Sequence, residues 1–387
     1  MMQTEHRLLY LLTLLAYSIL YAPQPILPAL AEEFNSSANQ AALLTTAVML
    51  PLAIAPLSYG YLLEKISAKT GLILSCGVMA VCHLAFANIT AIEQAIIIRA
   101  IEGMTLPVML TSIMTLLTRT TPSEKLQTTL SIYIALTIVG GLGGRTLSML
   151  LTEYLDWRLT FYLLAGFSLL LLPMMKGLPD HKPPHQNPIH LKELFSCIKH
   201  PSNRYLYPFI MIQFFTMVAI LNFIPFRIME AFDTDSYWPI LLVYSFYIVA
   251  IGTALATIKM RRKIKDLQVK GGIFWLVLTA LGLWSFSFDH LAMYCLGFTL
   301  VSGAIFANHS ICSTEVNHNE NKYSALANGT YLTFYYTGGA LGSILPGLWI
   351  IQWGWNNTLY VLITGCIIST MTLLLYFKSK ASLYERG

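Results

Sequence analysis

The sequence is dominated by long apolar segments, each about as long as a lipid bilayer requires. A membrane-spanning helix needs about 20 mostly apolar residues. Only 11% of the 387 residues are charged, against roughly 25% in a typical soluble domain. The segments therefore predict an all-α polytopic membrane protein. The low charge excludes an ordinary cytosolic enzyme, a disordered chain and a nucleic-acid-binding protein.

Taken in order, the apolar segments predict twelve spans in two six-helix bundles. A polar gap at 178–204 divides them, so we expect an N-terminal bundle at 1–177, a cytoplasmic linker and a C-terminal bundle at 205–387. The first segment is too long for the apolar core of a cleavable signal peptide, and we expect it to form the first span. The predicted spans are residues 8–31, 38–63, 71–90, 93–117, 126–152, 158–177, 205–231, 237–258, 270–288, 290–313, 323–351 and 357–377.

The basic residues predict the orientation of these spans. Of the 24 lysines and arginines, 20 fall in alternate loops and near the two termini, while the opposite loops contain only Arg158. Cytoplasmic loops carry the excess of basic residues. We therefore expect both termini in the cytoplasm.

Short patterns recur between the two halves at an offset of 198 residues. Gly140–Gly144 in the fifth segment recurs as Gly338–Gly342 in the eleventh, and Trp157 recurs as Trp355. Two bundles related by a parallel repeat favour a substrate site between them near the bilayer midplane, exposed alternately to each side. The glycines would let helix backbones approach closely, although ordinary packing has the same requirement.

Apart from charged residues at or near the span ends, such as Glu230, the predicted spans contain Arg99, Glu102, Arg145 and Arg227. A charge at bilayer depth costs about 2.5–3.5 kcal/mol on insertion scales, so it usually faces protein or water and has a role. Arg99, Glu102 and Arg145 have similar predicted depths, roughly 9–14 Å below the outer surface. We expect Glu102 to pair with Arg145 or with Arg99, which precedes it by three residues on one helix face.

Two roles for Glu102 remain open at this point. In the first, the carboxylate couples transport to protons, because its separation from arginine in an apolar cavity would favour the protonated form. In the second, it belongs to a permanent ion pair that fixes the fourth and fifth helices. His83 is expected to be a hydrogen-bonded structural histidine.

The buried charges also bear on the substrate. The two positive charges of Arg99 and Arg145 and the negative charge of Glu102 sum to +1. Arg227 adds a further positive charge if it faces the cavity instead of snorkelling to the membrane surface. Because guanidinium groups match carboxylates, we expect an organic anion or a siderophore-like metabolite; broad drug efflux remains an alternative. For the aromatic candidates, packing or a position in an interfacial belt is the competing interpretation. Besides the arginines, the candidate substrate-binding residues are Tyr21, Gln24, Asn222, Asn308, His309, Tyr331 and Tyr335.

Three motifs resemble the major facilitator superfamily. Residues 60–69 resemble its G-x-L-x-D-R-x-G-R-K loop, with Glu64, Ser67 and Ala68 replacing Asp, Gly and Arg. Arg99, Glu102 and Gly103 resemble its R-x-x-Q-G pattern. Gly140–Arg145 with Asp156–Arg158 is similar to a signature of the drug:proton antiporter group and its YnfM-like transport proteins.

This resemblance implies a monomeric secondary transporter in a bacterial inner membrane that exports a small-molecule substrate by proton antiport. It implies gating roles for residues in the loop motif and in the fifth helix: Gly60, Glu64, Lys65, Lys69, Gly140, Gly141 and Gly144. No metal or other cofactor is expected, because the linker histidines are separated by prolines.

Other classes fit the sequence less well. A membrane-embedded enzyme would need a catalytic motif such as H-E-x-x-H or G-x-S-x-G, and the sequence contains neither. A channel is disfavoured because a two-fold internal repeat suits alternating access better than a ring around a pore. A transport-like sensor without flux stays open, and substrate flux in vesicles would separate it from a transporter.

Overall fold

The computed structural model describes residues 2–63, 66–180, 197–201, 203–249, 252–253, 256, 267–319 and 324–384. Regular secondary structure in these ranges consists of helices. The chain divides into two compact units, Met1–Pro188 and Ile189–Gly387.

The first unit is a helical bundle in which the fourth and fifth helices pack together near the charged residues. Its main packing pairs are α3 with α5, α1 with α6, α4 with α5, and α4 with α7. The helices are α1 (Met2–Tyr21), α2 (Leu27–Glu33), α3 (Ala38–Leu63), α4 (Ala68–Asn88), α5 (Ile92–Thr120), α6 (Ser123–Tyr154) and α7 (Arg158–Leu171), with 3₁₀ turns at Gln24–Ile26 and Pro173–Gly177.

The second unit is also helical, and its first helix packs mainly against its last. Gly354 interrupts that last helix with φ 80° and ψ 172°, a conformation that glycine adopts readily because it has no Cβ. Two helices therefore meet at this single residue. The helices of the unit are α8 (Asn203–Phe232), α9 (Trp238–Ser245), α10 (Leu267–Ser285), α11 (Leu291–Asn319) and α12 (Ser324–Tyr384).

The prediction of an all-α polytopic membrane protein is confirmed. In the described part of the chain, nine helical stretches are long and apolar enough to cross a membrane, and one of them, Leu326–Lys380, contains both halves of α12. The two remaining predicted spans overlap α9 and the shorter apolar helix Gly271–Ser285. Most of the predicted eighth span beyond residue 249 lies outside the described residues.

The first predicted span lies within a single apolar stretch long enough to cross a membrane, Glu5–Glu33, but the helix in it is not continuous. α1 ends at Tyr21, a 3₁₀ turn follows at Gln24–Ile26, and α2 begins at Leu27. Pro23 and Pro25 cause the break, because proline has no N–H to donate to the preceding turn and its ring clashes with the carbonyl four residues earlier.

The predicted end of the tenth span, at residue 313, is wrong. α11 continues to Asn319. The polar residues that follow position 313 suggested a loop, but helix boundaries depend on packing as well as polarity. The longer helix places Glu315 inside the second unit.

The internal repeat predicted from sequence reappears in backbone geometry. Asn35 and Asp233 lie 198 positions apart and have φ of 48° and 46°, in the left-handed region that Asn and Asp tolerate. The next amide in each case, that of Ser36 or Thr234, donates to the carbonyl five residues earlier. This is the Schellman pattern at a helix C-terminus, and both units use it to end their first long helical segment.

The repeated glycines make equivalent contacts in the two units. A Cβ built on Gly144 in α6 would lie 2.5 Å from the Cα of Ser18 in α1, and a Cβ on Gly342 in α12 would collide with Phe215 in α8. Such contacts let two helix axes approach closely in lipid. One turn earlier, Gly140 faces Leu14 and Gly338 faces Met211.

Candidate functional site

Arg99 is buried in the first unit, with 1% of its surface exposed, and joins three helices. From α5 its guanidinium donates to the carbonyls of Ile19 (3.2 Å), Leu20 (3.0 Å) and Leu44 (3.4 Å). Pro23, four residues after Ile19, has no N–H, so the regular helical pattern provides no donor for the Ile19 carbonyl. Arg99 therefore satisfies the backbone where proline breaks the first helix.

Glu102 lies one turn after Arg99 on α5 and is fully buried. Its Oε2 accepts a hydrogen bond from Nη1 of Arg99. From α4, His83 places Nδ1 2.9 Å from Oε1 of Glu102. The structure thus brings Glu102 together with Arg99 and with a histidine that the sequence gave no reason to place there. We call Arg99, Glu102 and His83 the buried triad.

His83 is itself completely buried and contacts two acceptors through one nitrogen. Its Nδ1 lies 2.9 Å from the carbonyl oxygen of Met79 and equally far from Oε1 of Glu102. Its Nε2 has no hydrogen-bond partner among the described residues. The ring packs beside Phe161 of α7, with 5.9 Å between the ring centroids. His83 is therefore hydrogen-bonded, as expected, but at one ring nitrogen only.

Arg145 lies in α6 and is also buried. Its Nε and Nη2 donate to Oε1 of Gln24 at 3.0 and 2.7 Å, and its Nη1 donates to the carbonyl of Gly141 at 3.2 Å. Its guanidinium carbon stands 4.1 Å from the centre of the Tyr21 ring, a cation–π arrangement. The break after α1 therefore places the amide of Gln24 and the ring of Tyr21 beside Arg145. Gln24 and Tyr21 were both substrate-binding candidates from sequence.

The candidate gating residues of the loop motif are described only in part. Gly60 lies within α3, whereas Glu64 and Lys65 lie outside the described residues. Lys69, near the start of α4, donates from Nζ to the carbonyl of Lys176 at 2.5 Å. Lys69 thus links α4 to the 3₁₀ turn that follows α7.

In the second unit, polar side chains link α8, α11 and α12. Asn308 donates to Oε1 of Gln213 at 3.3 Å, and Nε2 of Gln213 donates to the hydroxyl of Ser369 at 3.3 Å. Asn222 is buried within α8. Gln213 and Ser369 were not among the sequence candidates, because single polar residues in apolar helices gave no sign of their mutual contact.

Three candidates from sequence, His309, Tyr331 and Tyr335, form an aromatic cluster together with two neighbouring rings. The Nδ1 of His309 lies 2.7 Å from the hydroxyl of Tyr331, and its ring centre is 4.9 Å from that of Tyr335. Tyr335 stacks on Phe214 at 3.6 Å, and Tyr336 packs edge-on against Tyr335. We call Phe214, His309, Tyr331, Tyr335 and Tyr336 the aromatic cluster of the second unit.

Arg227 does not contribute the additional uncompensated positive charge considered from sequence. Its Nη1 lies 2.9 Å from Glu230, and its Nη2 donates to both carboxylate oxygens of Asp289 at 2.7 and 2.8 Å. Arg227 is 19% exposed, near the end of α8, so both acids are within reach of a snorkelling guanidinium.

Glu315 is a buried acid that the sequence analysis missed. It accepts hydrogen bonds from the hydroxyl of Tyr376 (2.5 Å) and from Nζ of Lys380 (2.7 Å), both in α12. The predicted tenth span ended before Glu315, so the acid counted as a loop residue. The pairing joins α11 to the end of α12.

A comparison with protein families decides the class of the protein. The family model of the Major Facilitator Superfamily matches residues 9–322. The chain belongs to the major facilitator superfamily. It is accordingly a multi-pass membrane transporter and not an enzyme.

Relatives in this superfamily cover most of the chain at modest identity. An uncharacterized transporter of Buchnera aphidicola subsp. Schizaphis graminum is 25% identical over 92% of this chain and 88% of its own length. The uncharacterized MFS-type transporter YybF of Bacillus subtilis is 27% identical, with 88% and 85% covered. The inner membrane transport protein YnfM of Escherichia coli is 25% identical, with 89% and 83% covered.

Solved structures of the superfamily share the fold. A variant of the nucleoside transporter NupG superposes with a TM-score of 0.77 at 15% identity, covering 96% of this chain and 99% of that one. A bacterial homologue of the human lysosomal transporter Spinster, inward-facing and occupied, gives a TM-score of 0.74 at 11% identity, with 97% and 96% covered. At these identities the likeness establishes the fold alone.

Proposed function

We propose that this protein is a proton-coupled exporter of a small organic anion, such as a siderophore-like metabolite. Its membership of the superfamily makes it a secondary transporter; the coupling ion, the direction and the substrate class are the proposal. We place it as a monomer in a bacterial inner membrane with both termini cytoplasmic. The distribution of basic residues supports this orientation, and the relative YnfM is named an inner membrane transport protein.

The buried triad is the observation that carries the coupling proposal. Glu102 and Arg99 are charged groups placed in a membrane-spanning helix at a cost in free energy, which indicates a role. Their neighbour His83 is a side chain that changes charge near neutral pH in its unperturbed state. A charged pair in contact with such a group suits a transporter that binds and releases protons.

Arg145 supports an anionic substrate. Two of its nitrogens donate to one neutral amide oxygen, that of Gln24. A carboxylate presents two charged oxygens to the planar guanidinium fork and forms stronger, bidentate hydrogen bonds than an amide does. A substrate carboxylate would therefore compete well with Gln24 for Arg145.

A broad-specificity drug:proton antiporter is the second candidate, and the aromatic cluster favours it. Stacked rings such as Tyr335 on Phe214 provide a flat apolar surface. Lipophilic cations bind to the faces of aromatic rings. This candidate predicts a preference for aromatic cations and little dependence on Arg145.

Everted membrane vesicles would test these alternatives. A respiration-generated pH gradient is monitored with a fluorescent amine while citrate, benzoate, a hydroxamate siderophore, ethidium or tetraphenylphosphonium is added. We expect at least one anion to collapse the gradient in vesicles that contain the wild type, and we expect Arg145→Gln to abolish this response. Arg119→Gln, which removes an exposed arginine from α5, is the matched control.

Three results would change the assignment. Gradient collapse by the cations alone would replace the anion exporter with the drug antiporter. Substrate flux without any proton movement would remove proton coupling. Binding of a probe without flux would indicate a sensor.

A further inference from the structure

Arg99 and Glu102 cannot be separated by a rigid movement of helices. They lie three residues apart on α5, so any motion that carries one carries the other. Arg99 is also tied by hydrogen bonds to backbone carbonyls in α1 and α3. A rigid movement of α5 therefore leaves the ion pair intact, and proton uptake by Glu102 would then have to occur beside the positive charge of Arg99.

His83 differs because it approaches Glu102 from another helix. The separation of 2.9 Å between Nδ1 and Oε1 spans α4 and α5, and a small shift of either helix changes it. The variable electrostatic contact within the buried triad is thus the one between His83 and Glu102.

The surroundings of His83 define its tautomer. Nδ1 faces two oxygen acceptors at 2.9 Å, the Met79 carbonyl and Glu102. A bare lone pair on Nδ1 would be repelled by both oxygens, so Nδ1 carries the hydrogen. The proton-accepting atom of the ring is consequently Nε2, which is buried and has no hydrogen-bond partner among the described residues.

The charges around the ring favour a single additional proton. The neighbouring helix α5 places Arg99 and Glu102 beside the ring, and their charges cancel. Helix α7 adds the Phe161 ring, and α4 adds the thiol of Cys82 near Glu102; neither group is charged. A neutral ring suits the fully buried state, because an uncompensated buried charge is costly. Access of water to Nε2 would remove that cost, and Glu102 would then stabilise the imidazolium.

We propose that His83 is the proton-binding residue of the first unit, and that Nε2 takes up and releases the proton while Glu102 remains its counter-ion. This rests on the proposed proton coupling and names the atom that performs it. Water delivers a proton to the Nε2 lone pair to form an N–H bond, and the same bond breaks when water removes the proton on the other side of the cycle. Glu102 and Arg99 keep their charges throughout.

Nitrogen NMR of the full-length protein tests the tautomer without a substrate. Protein labelled with ¹⁵N-histidine in detergent micelles gives signals from nine histidines, and the His83→Asn spectrum identifies the missing one. We expect a ring that carries its hydrogen at Nδ1 in the resting protein. A ring that carries its hydrogen at Nε2 alone would overturn the proposal.

Transport by variants tests the role. His83→Asn keeps an amide donor near the Nδ1 position but cannot bind a proton, and His83→Gln is a second variant should the first fold poorly. We expect both to lose substrate-induced collapse of the pH gradient while retaining exchange of radiolabelled substrate at equal pH. The control His290→Asn removes an exposed histidine and should leave coupling intact.

The outcomes distinguish the inference from the function on which it rests. If the wild type couples to protons and His83→Asn couples equally well, His83 is not the proton-binding residue but the proposed function stands. If the wild type moves substrate without protons, the proposed coupling fails whatever the NMR spectra give.

Discussion

Gly144 in α6 contacts Ser18 in α1 so closely that a Cβ on Gly144 would stand 2.5 Å from the Cα and 2.6 Å from the carbonyl oxygen of Ser18. Backbone atoms cannot move aside as the end of a flexible side chain can. The close approach of α1 to α6 at this point therefore requires that residue 144 has no Cβ.

Gly144→Ala should lower the thermal stability of the protein, with a cost of about 1–3 kcal/mol as for other overpacked sites. The measurement is the apparent Tm of purified protein in detergent. Gly143→Ala is the matched control, since a Cβ there meets nothing within 4 Å; alanine should raise the helix propensity at this position by roughly 1 kcal/mol. Equal Tm values for the two variants would show that α1 and α6 tolerate a wider separation.

Gly342→Ala tests the same contact in the second unit. Its Cβ would collide with the backbone of Phe215, so we expect a fall in apparent Tm comparable to that of Gly144→Ala. A large difference between the two would mean that the repeat has equivalent sequence and geometry but different energetics in its two copies.

Arg227→Gln should have little effect on stability and none on substrate preference. Its partner carboxylates are exposed, 46% for Asp289 and 73% for Glu230, and solvent-exposed ion pairs contribute about 0–1 kcal/mol. Asp289→Asn should behave in the same way, and the double variant should match the single ones. A change in the anion preference of Arg227→Gln alone would restore Arg227 as a substrate-binding residue.

Lys380→Gln should destabilise the protein more than Glu315→Gln does. Without Lys380, the charged carboxylate of Glu315 is only 2% exposed and is poorly solvated. Without the Glu315 charge, the ammonium group of Lys380 still reaches water, because its side chain is 20% exposed. Breaking a buried pair typically costs about 3–5 kcal/mol. Apparent Tm values check the order, with Lys378→Gln as an exposed control on the same helix; the reverse order would mean that Lys380 is the less solvated partner.

Composition and repetition were enough to predict the general fold. The length of the apolar segments limits the chain to membrane helices, and the offset of 198 residues anticipated the matching contacts of Gly144 and Gly342. These features are local or periodic. They can be recognised without knowledge of which helices become neighbours.

The composition of the buried triad could be predicted only in part. Arg99 and Glu102 share a helix face, so their spacing predicts contact. His83 is on another helix, and its distance from Glu102 depends on how α4 and α5 pack. The break in the first span was not predicted, although Pro23 and Pro25 are present in the sequence. The hydrogen bonds from Arg99 to the carbonyls of Ile19 and Leu20 at this break required the structure.

The order of acceptor and donor along the chain has a consequence for biosynthesis. Every carbonyl that binds Arg99 belongs to α1 or α3, and the Gln24 acceptor of Arg145 also lies upstream of its arginine. Chains emerge from the ribosome with the N-terminal part first. Each guanidinium therefore reaches the lipid when these acceptors have already been synthesised, and Glu102, the remaining partner of Arg99, follows it within one helical turn.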